Sequence, residues 1–246
     1  MTQAPVMGGF VILPRGAILL AYAVVLVTAV AAFWLLAGFP MITYHLVMSA
    51  VLLPLVAWRQ EAVTRALGRL PGPPMLRFIL LAYCAVMLEE TLVGTLAALL
   101  AEGDPTVWAD RVRQFITFNL MVFTGPIVAL AAHARLCAPH RWEVLVLAGG
   151  WGLFAESVLQ RLIAAPLLAG LLVWPTLVIY ALIFLPATLS VAPARGHRTP
   201  PLLLRAVLVW AAAFAMSLPI VLLVEHLRAA MPDLFPPCLY MICAPE

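Results

Sequence analysis

Long apolar runs alternate with short polar breaks along most of the chain. Seven runs stand out, roughly residues 17–37, 41–58, 77–100, 113–132, 143–163, 165–191 and 202–224. A helix rises about 1.5 Å per residue, so runs of this length match a hydrocarbon core about 30 Å thick. Backbone polar groups find no partner in lipid, which makes helices the expected conformation. The pattern predicts an all-α integral membrane protein, a bundle of about seven transmembrane helices. It divides the chain into an N-terminal tail (1–16), a membrane domain (17–224) and a C-terminal tail (225–246). The first run exceeds the ~7–15 apolar residues of a signal peptide and reads as an uncleaved helix.

Two polar breaks have structure of their own. Over residues 58–70, Trp58, Ala62, Val63, Ala66, Leu67 and Leu70 share one helical face, while Arg59, Glu61, Arg65 and Arg69 fall elsewhere. This predicts a short helix on the inner leaflet, ended by Pro71-Gly72-Pro73-Pro74; a solvated connector fits the residues equally well. Asp104-Pro105 reads as a helix cap followed by proline at the first helical position.

Charge orients the bundle. All 14 basic residues are arginine. Arg15, Arg59, Arg65, Arg69, Arg77, Arg135, Arg141, Arg195, Arg198 and Arg205 fall on one side, and Arg111, Arg113, Arg161 and Arg228 on the other. The bias of positive charge toward the cytoplasm predicts a cytoplasmic N-terminus and an exported C-terminus, with a bacterial inner membrane as the expected location. The absence of lysine excludes Schiff-base chemistry. The basic excess reads as membrane-orienting charge, so no nucleic-acid partner is expected. Glycine-rich phosphate loops and the HExxH and GxSxG motifs are absent. Cys84 and Cys137 read as packing residues. Cys238 and Cys243, if exported, are spaced to close a small disulfide ring, with free thiols as the alternative.

The candidate chemistry lies within the runs. Glu89 and Glu90 sit deep in the third, where an ionisable group costs at least ~2.5 kcal/mol. Neighbours on a helix point apart, and Glu90 shares its face with Gly94, Ala97, Ala98 and Ala101, small residues that admit another helix. Glu156, in the fifth run, shares its face with Gly149, Gly152 and Gln160. Two helices of the same orientation thus each carry an acid to similar depth on a small-residue face. Between them lie Asn119 and Thr124-Gly125-Pro126, where proline leaves the Val122 carbonyl without its helical partner. Arg161 either reaches the outer interface or neutralises one of the acids. The histidines are poorly placed for a deep metal site; only a set of Glu90, Glu156 and His45 is conceivable, and neither a metal nor a cofactor is expected.

Leu88-Glu89-Glu90-Thr91-Leu92-Val93-Gly94-Thr95 resembles the first glutamate motif of the CAAX-protease and bacteriocin-processing family of intramembrane proteases. That resemblance implies an intramembrane hydrolase, but Gly94 stands at the motif's arginine and Asn119 at its next histidine. The Glu pair is also similar to the Pro-x-Glu-Glu motif of membrane lycopene cyclases, with Met87 replacing the proline. Neither resemblance assigns a family. Three functional readings follow. The first is small-molecule or proton-coupled transport, or proton relay, with Glu90, Glu156, Asn119, Gln160 and Arg161 at the site. The second is an enzyme acting on a lipid, isoprenoid or membrane peptide, with Glu89, Glu90 or Glu156 as catalytic acid or base. The third is an accessory subunit, within a homo- or hetero-oligomer, whose acids only join helices.

Overall fold

The computed structural model describes residues 53–97, 108–109, 112–113, 115–137, 143–164, 166–191 and 200–235. The N-terminal tail, the first apolar run, most of the second, the Asp104-Pro105 cap, His45, Cys238 and Cys243 lie outside the described residues. Those described form seven helices and no strand. They are α1 (Leu53–Gly68), α2 (Pro74–Ala97), α3 (Phe115–Cys137), α4 (Leu145–Ala155), α5 (Val158–Ala164), α6 (Pro166–Leu189) and α7 (Leu202–Ala230). Three stretches are long and apolar enough to cross a membrane: Phe115–Cys137, Leu172–Leu189 and Leu202–Ala230.

The start of α2 is fixed by the proline-rich turn before it. Gly72 adopts a φ of +102°, a left-handed conformation that a side chain would disfavour. Arg77 then reaches back to the C-terminus of α1 and donates to the carbonyls of Gly68 (3.0 Å) and Leu70 (2.8 Å). A guanidinium there satisfies carbonyls that the helix leaves open. Along α2, Phe78, Ala82 and Val86 recur every four residues and are buried in the core, together with Ile127 of α3, Leu147 of α4, Phe184 of α6 and Ala213 of α7. Leu76, Leu80, Cys84 and Leu88 form the opposite, exposed row. Cys84 is therefore a surface thiol, because its register places it on the outward stripe.

Helices in an apolar medium gain little from escaping water, so close contact has to hold them together. Glycine permits that contact where α3 meets α7. A Cβ on Gly125 would run into Ser217 and the Ala213 carbonyl. The next residue, Pro126, has no N–H for the Val122 carbonyl, and Ser217 Oγ donates to that oxygen at 3.1 Å. The carbonyl freed by proline is thus taken by α7. On α4, Gly149 abuts the Leu177 backbone, Gly150 the Trp210 ring and Gly152 the Tyr180 ring. The Gly149-Gly150-Trp151-Gly152 run is the surface on which α6 and α7 seat.

Several boundaries differ from the hydropathy pattern. Residues 58–70 do not form a separate helix; α1 runs through Trp58 from Leu53 to Gly68 and packs against α6. The fourth run extends as helix to Cys137, which puts His133 and Arg135 inside α3. The last helix continues past 224 to Ala230, so part of the segment assigned to the C-terminal tail is helical. Polar residues end a hydropathy window before they end a helix. The fifth run, by contrast, is interrupted at Glu156-Ser157, where Ser157 has a φ of 55°.

Gly125→Ala is expected to force α3 from α7 and lower stability by ~1–3 kcal/mol. Gly170→Ala on α6, where a Cβ would meet open space, should leave stability unchanged or raise it by up to ~1 kcal/mol. Thermal unfolding of both variants in detergent checks the contrast.

Candidate functional site: a buried carboxylate cluster

Two polar layers interrupt the apolar interior, near opposite ends of α3 and α4. The first contains the candidate acids. Glu90 lies on the inward face of α2, 9% exposed, with Gly94 buried one turn further on. Asn119 Nδ2 donates to Glu90 Oε1 at 2.6 Å. Asn119 is the last residue of a π turn, Phe115–Asn119, at the start of α3. A π turn inserts one residue into the helical register and re-aims the side chains around it. The short bond is the satisfaction that a buried carboxyl requires, since an unpaired polar group in such a place costs several kcal/mol.

Glu156 ends α4 and is exposed at the interruption before α5. Its Oε1 accepts a hydrogen bond from Tyr180 Oη at 2.7 Å. Tyr180 comes from the middle of α6 and is only 6% exposed. Its ring lies over Gly152, where any larger residue would displace it. Phe123 of α3 stacks on it at 5.9 Å, with the ring planes 19° apart. Tyr180 therefore joins an accessible acid to the interior. Glu90 lies within electrostatic reach of Glu89 and, more weakly, of Glu156, and Tyr180 lies within reach of all three. Glu89 itself is half-buried.

Gln160 and Arg161 are not brought to these acids. Both are exposed on α5, and among the described residues Gln160 forms no hydrogen bond, and Arg161 no ion pair, with Glu90 or Glu156. Ser157, with a φ of 55°, interrupts the helix between Glu156 and Arg161. No cluster of three or more His, Cys, Asp or Glu is placed to hold a metal ion among the described residues.

The second layer lies at the other end of α3 and α4. Arg205, in the first turn of α7, grips Glu143 with two parallel bonds, Nη1 to Oε2 at 2.9 Å and Nη2 to Oε1 at 2.6 Å. Its Nε donates to the Pro200 carbonyl at 2.9 Å. Both residues of the pair are buried. His133 is buried within electrostatic reach of both, and neither of its ring nitrogens has a hydrogen-bond partner among the described residues. Glu143 and Tyr180 were not marked out by sequence. Glu143 stands at the edge of an apolar run, beside a tryptophan, where acids are common. Tyr180 has only apolar neighbours. The signal that finds Tyr180 is spatial, its fit over Gly152.

No family model, curated protein or solved structure matches this chain. The class it can be assigned is therefore structural: among the described residues it is all-helical, with three helices long and apolar enough to cross a membrane and with two polar layers between its helices.

Arg205→Met, which strands Glu143, is expected to cost ~3–5 kcal/mol, whereas the double change Glu143→Met, Arg205→Met should cost much less. Unfolding of the single and double variants in detergent measures the difference.

Proposed function

We propose that this is a multi-pass membrane protein that carries protons through the Glu90–Glu156 cluster, as a proton relay or as a proton-coupled transporter of a small molecule. The proposed arrangement is seven crossings in a bacterial inner membrane, with the N-terminus in the cytoplasm and the C-terminus outside. The observation that carries the functional reading is the pairing of one buried and one accessible acid. Glu156 is exposed and bonded to Tyr180, while Glu90 is buried, bonded to Asn119 and electrostatically linked to Glu156. A proton taken up at the accessible acid lowers the cost of the negative charge that the buried acid would bear. Loss of a proton from one acid correspondingly favours retention by the other. The proline in α3 and the glycine faces of α3 and α4 support sliding of helices around such a site.

A second reading draws on the open groove between α2 and α3. An enzyme acting on a membrane-embedded substrate needs a lateral entrance of that kind, with Glu90 or Glu156 as general acid or base. It differs from transport in requiring no gradient.

In sealed vesicles carrying the purified protein and an internal pH indicator, an imposed pH gradient should drive proton movement that Glu90→Gln or Glu156→Gln reduces by about 10²-fold or more. Proton movement unchanged in both variants would contradict the proposal. Turnover of a lipid by the detergent-solubilised protein, abolished by the same changes, would favour the enzyme.

A further inference from the structure

We propose that the cargo of the acid cluster is a lipophilic cation, whose apolar body lies in the groove between α2 and α3 while its positive charge meets Glu90. This rests on the proton-coupled reading above and adds a substrate class to it. The groove is lined by Tyr83, Cys84, Met87, Leu120, Met121 and Thr124 and is a largely open depression with about 460 Å³ of space. Small-molecule sites span ~300–1,000 Å³. Its lining offers little to a polar ligand, because the hydroxyls of Tyr83 and Thr124 bond each other at 2.6 Å. What remains is alkyl and sulfur surface, and methionine adapts to ligands of different shape. The groove opens on the exposed row that contains Leu80, Cys84 and Leu88, the side from which an apolar molecule would arrive.

Charge selects the other end of the ligand. Met87 lies one turn before Glu90, and Leu120 and Met121 directly follow Asn119, so the groove ends about a turn from the Glu90–Asn119 bond. The groups acting on Glu90 are an amide and two further acids. That setting repels anions and attracts cations. A small hydrated cation would have to give up its water to enter beside apolar walls, whereas a cation wrapped in hydrocarbon sheds little. Entry of the cation replaces the proton of the carboxylic acid: the O–H bond breaks, the proton passes to water, and the carboxylate pairs with the cation. One positive charge is exchanged for one.

Cys84 supplies a reporter in the groove itself. In full-length protein carrying Cys137→Ser, Cys238→Ser and Cys243→Ser, tetraphenylphosphonium is the probe. It is expected to bind, to release protons into weakly buffered detergent solution, and to slow maleimide alkylation of Cys84. Adding Glu90→Gln, in a variant shown by its unfolding transition to be folded, should weaken binding about tenfold or more and abolish proton release. Protection of Cys84 that is indifferent to Glu90→Gln would overturn the proposal and leave the groove as a site for uncharged chains. No binding and no protection, while vesicles still show Glu90-dependent proton movement, would overturn the cargo and spare the relay. Binding with proton release in detergent, but no proton movement in vesicles, would support the cation site and contradict the relay.

Discussion

The bond between Asn119 and Glu90 is the constraint on which the acid site depends. A carboxyl buried among apolar helices has to find a hydrogen-bond donor within the bundle. Asn119 meets that need only because a π turn displaces it from the ordinary register of α3. The backbone is thus irregular where the chemistry is unusual, and α2 and α3 are tied together at that depth. The arrangement on the α4 side is analogous but looser. Glu156 is bonded to Tyr180 yet remains exposed, at a place where α4 gives way to a residue of positive φ. One acid is buried and the other accessible.

The rest of the bundle shows the same economy with backbone groups. Proline at 126 frees a carbonyl, and Ser217 takes it. A second π turn, Leu145–Gly149, leaves the Leu147 carbonyl to accept the Trp210 indole N–H at 2.8 Å. Both of these irregularities are answered from α7, which therefore serves as a brace along α3 and α4. At the end remote from the acids the brace is fastened by Arg205 and Glu143. Breaking such a pair leaves a charge without its counter-charge, so its value lies in fixing where α7 sits more than in net stability.

Much of this was legible in the pattern of apolar positions, and some was not, for identifiable reasons. The apolar runs correspond to helices wherever the chain is described, and the glycine faces on the fifth run correspond to close packing. The helices outrun the apolar runs at 132 and 224 because charged residues lower hydropathy while the backbone keeps its hydrogen bonds. The interruption at Glu156-Ser157 carries neither glycine nor proline at those positions, so nothing in the local sequence announces it. Arg205 and Glu143 are 62 residues apart, and their union follows from packing rather than from either neighbourhood. Arg161 was a candidate counter-charge from its spacing to Glu156, a spacing that holds meaning only in an unbroken helix. Asn119 and Glu90 could each be read as polar residues in need of a partner, but the π turn that aims one at the other has no signature in residue type.

The central claim is that the buried Glu90 and the exposed Glu156 serve one proton path. Infrared difference spectroscopy of the purified protein, stepped through pH, resolves the carbonyl stretch of a protonated Glu90, identified by its loss in Glu90→Gln. The account predicts that Glu156→Gln moves the midpoint at which that band appears, and that Tyr180→Phe moves it less. A Glu90 band whose midpoint is the same with and without the Glu156 carboxyl would contradict it.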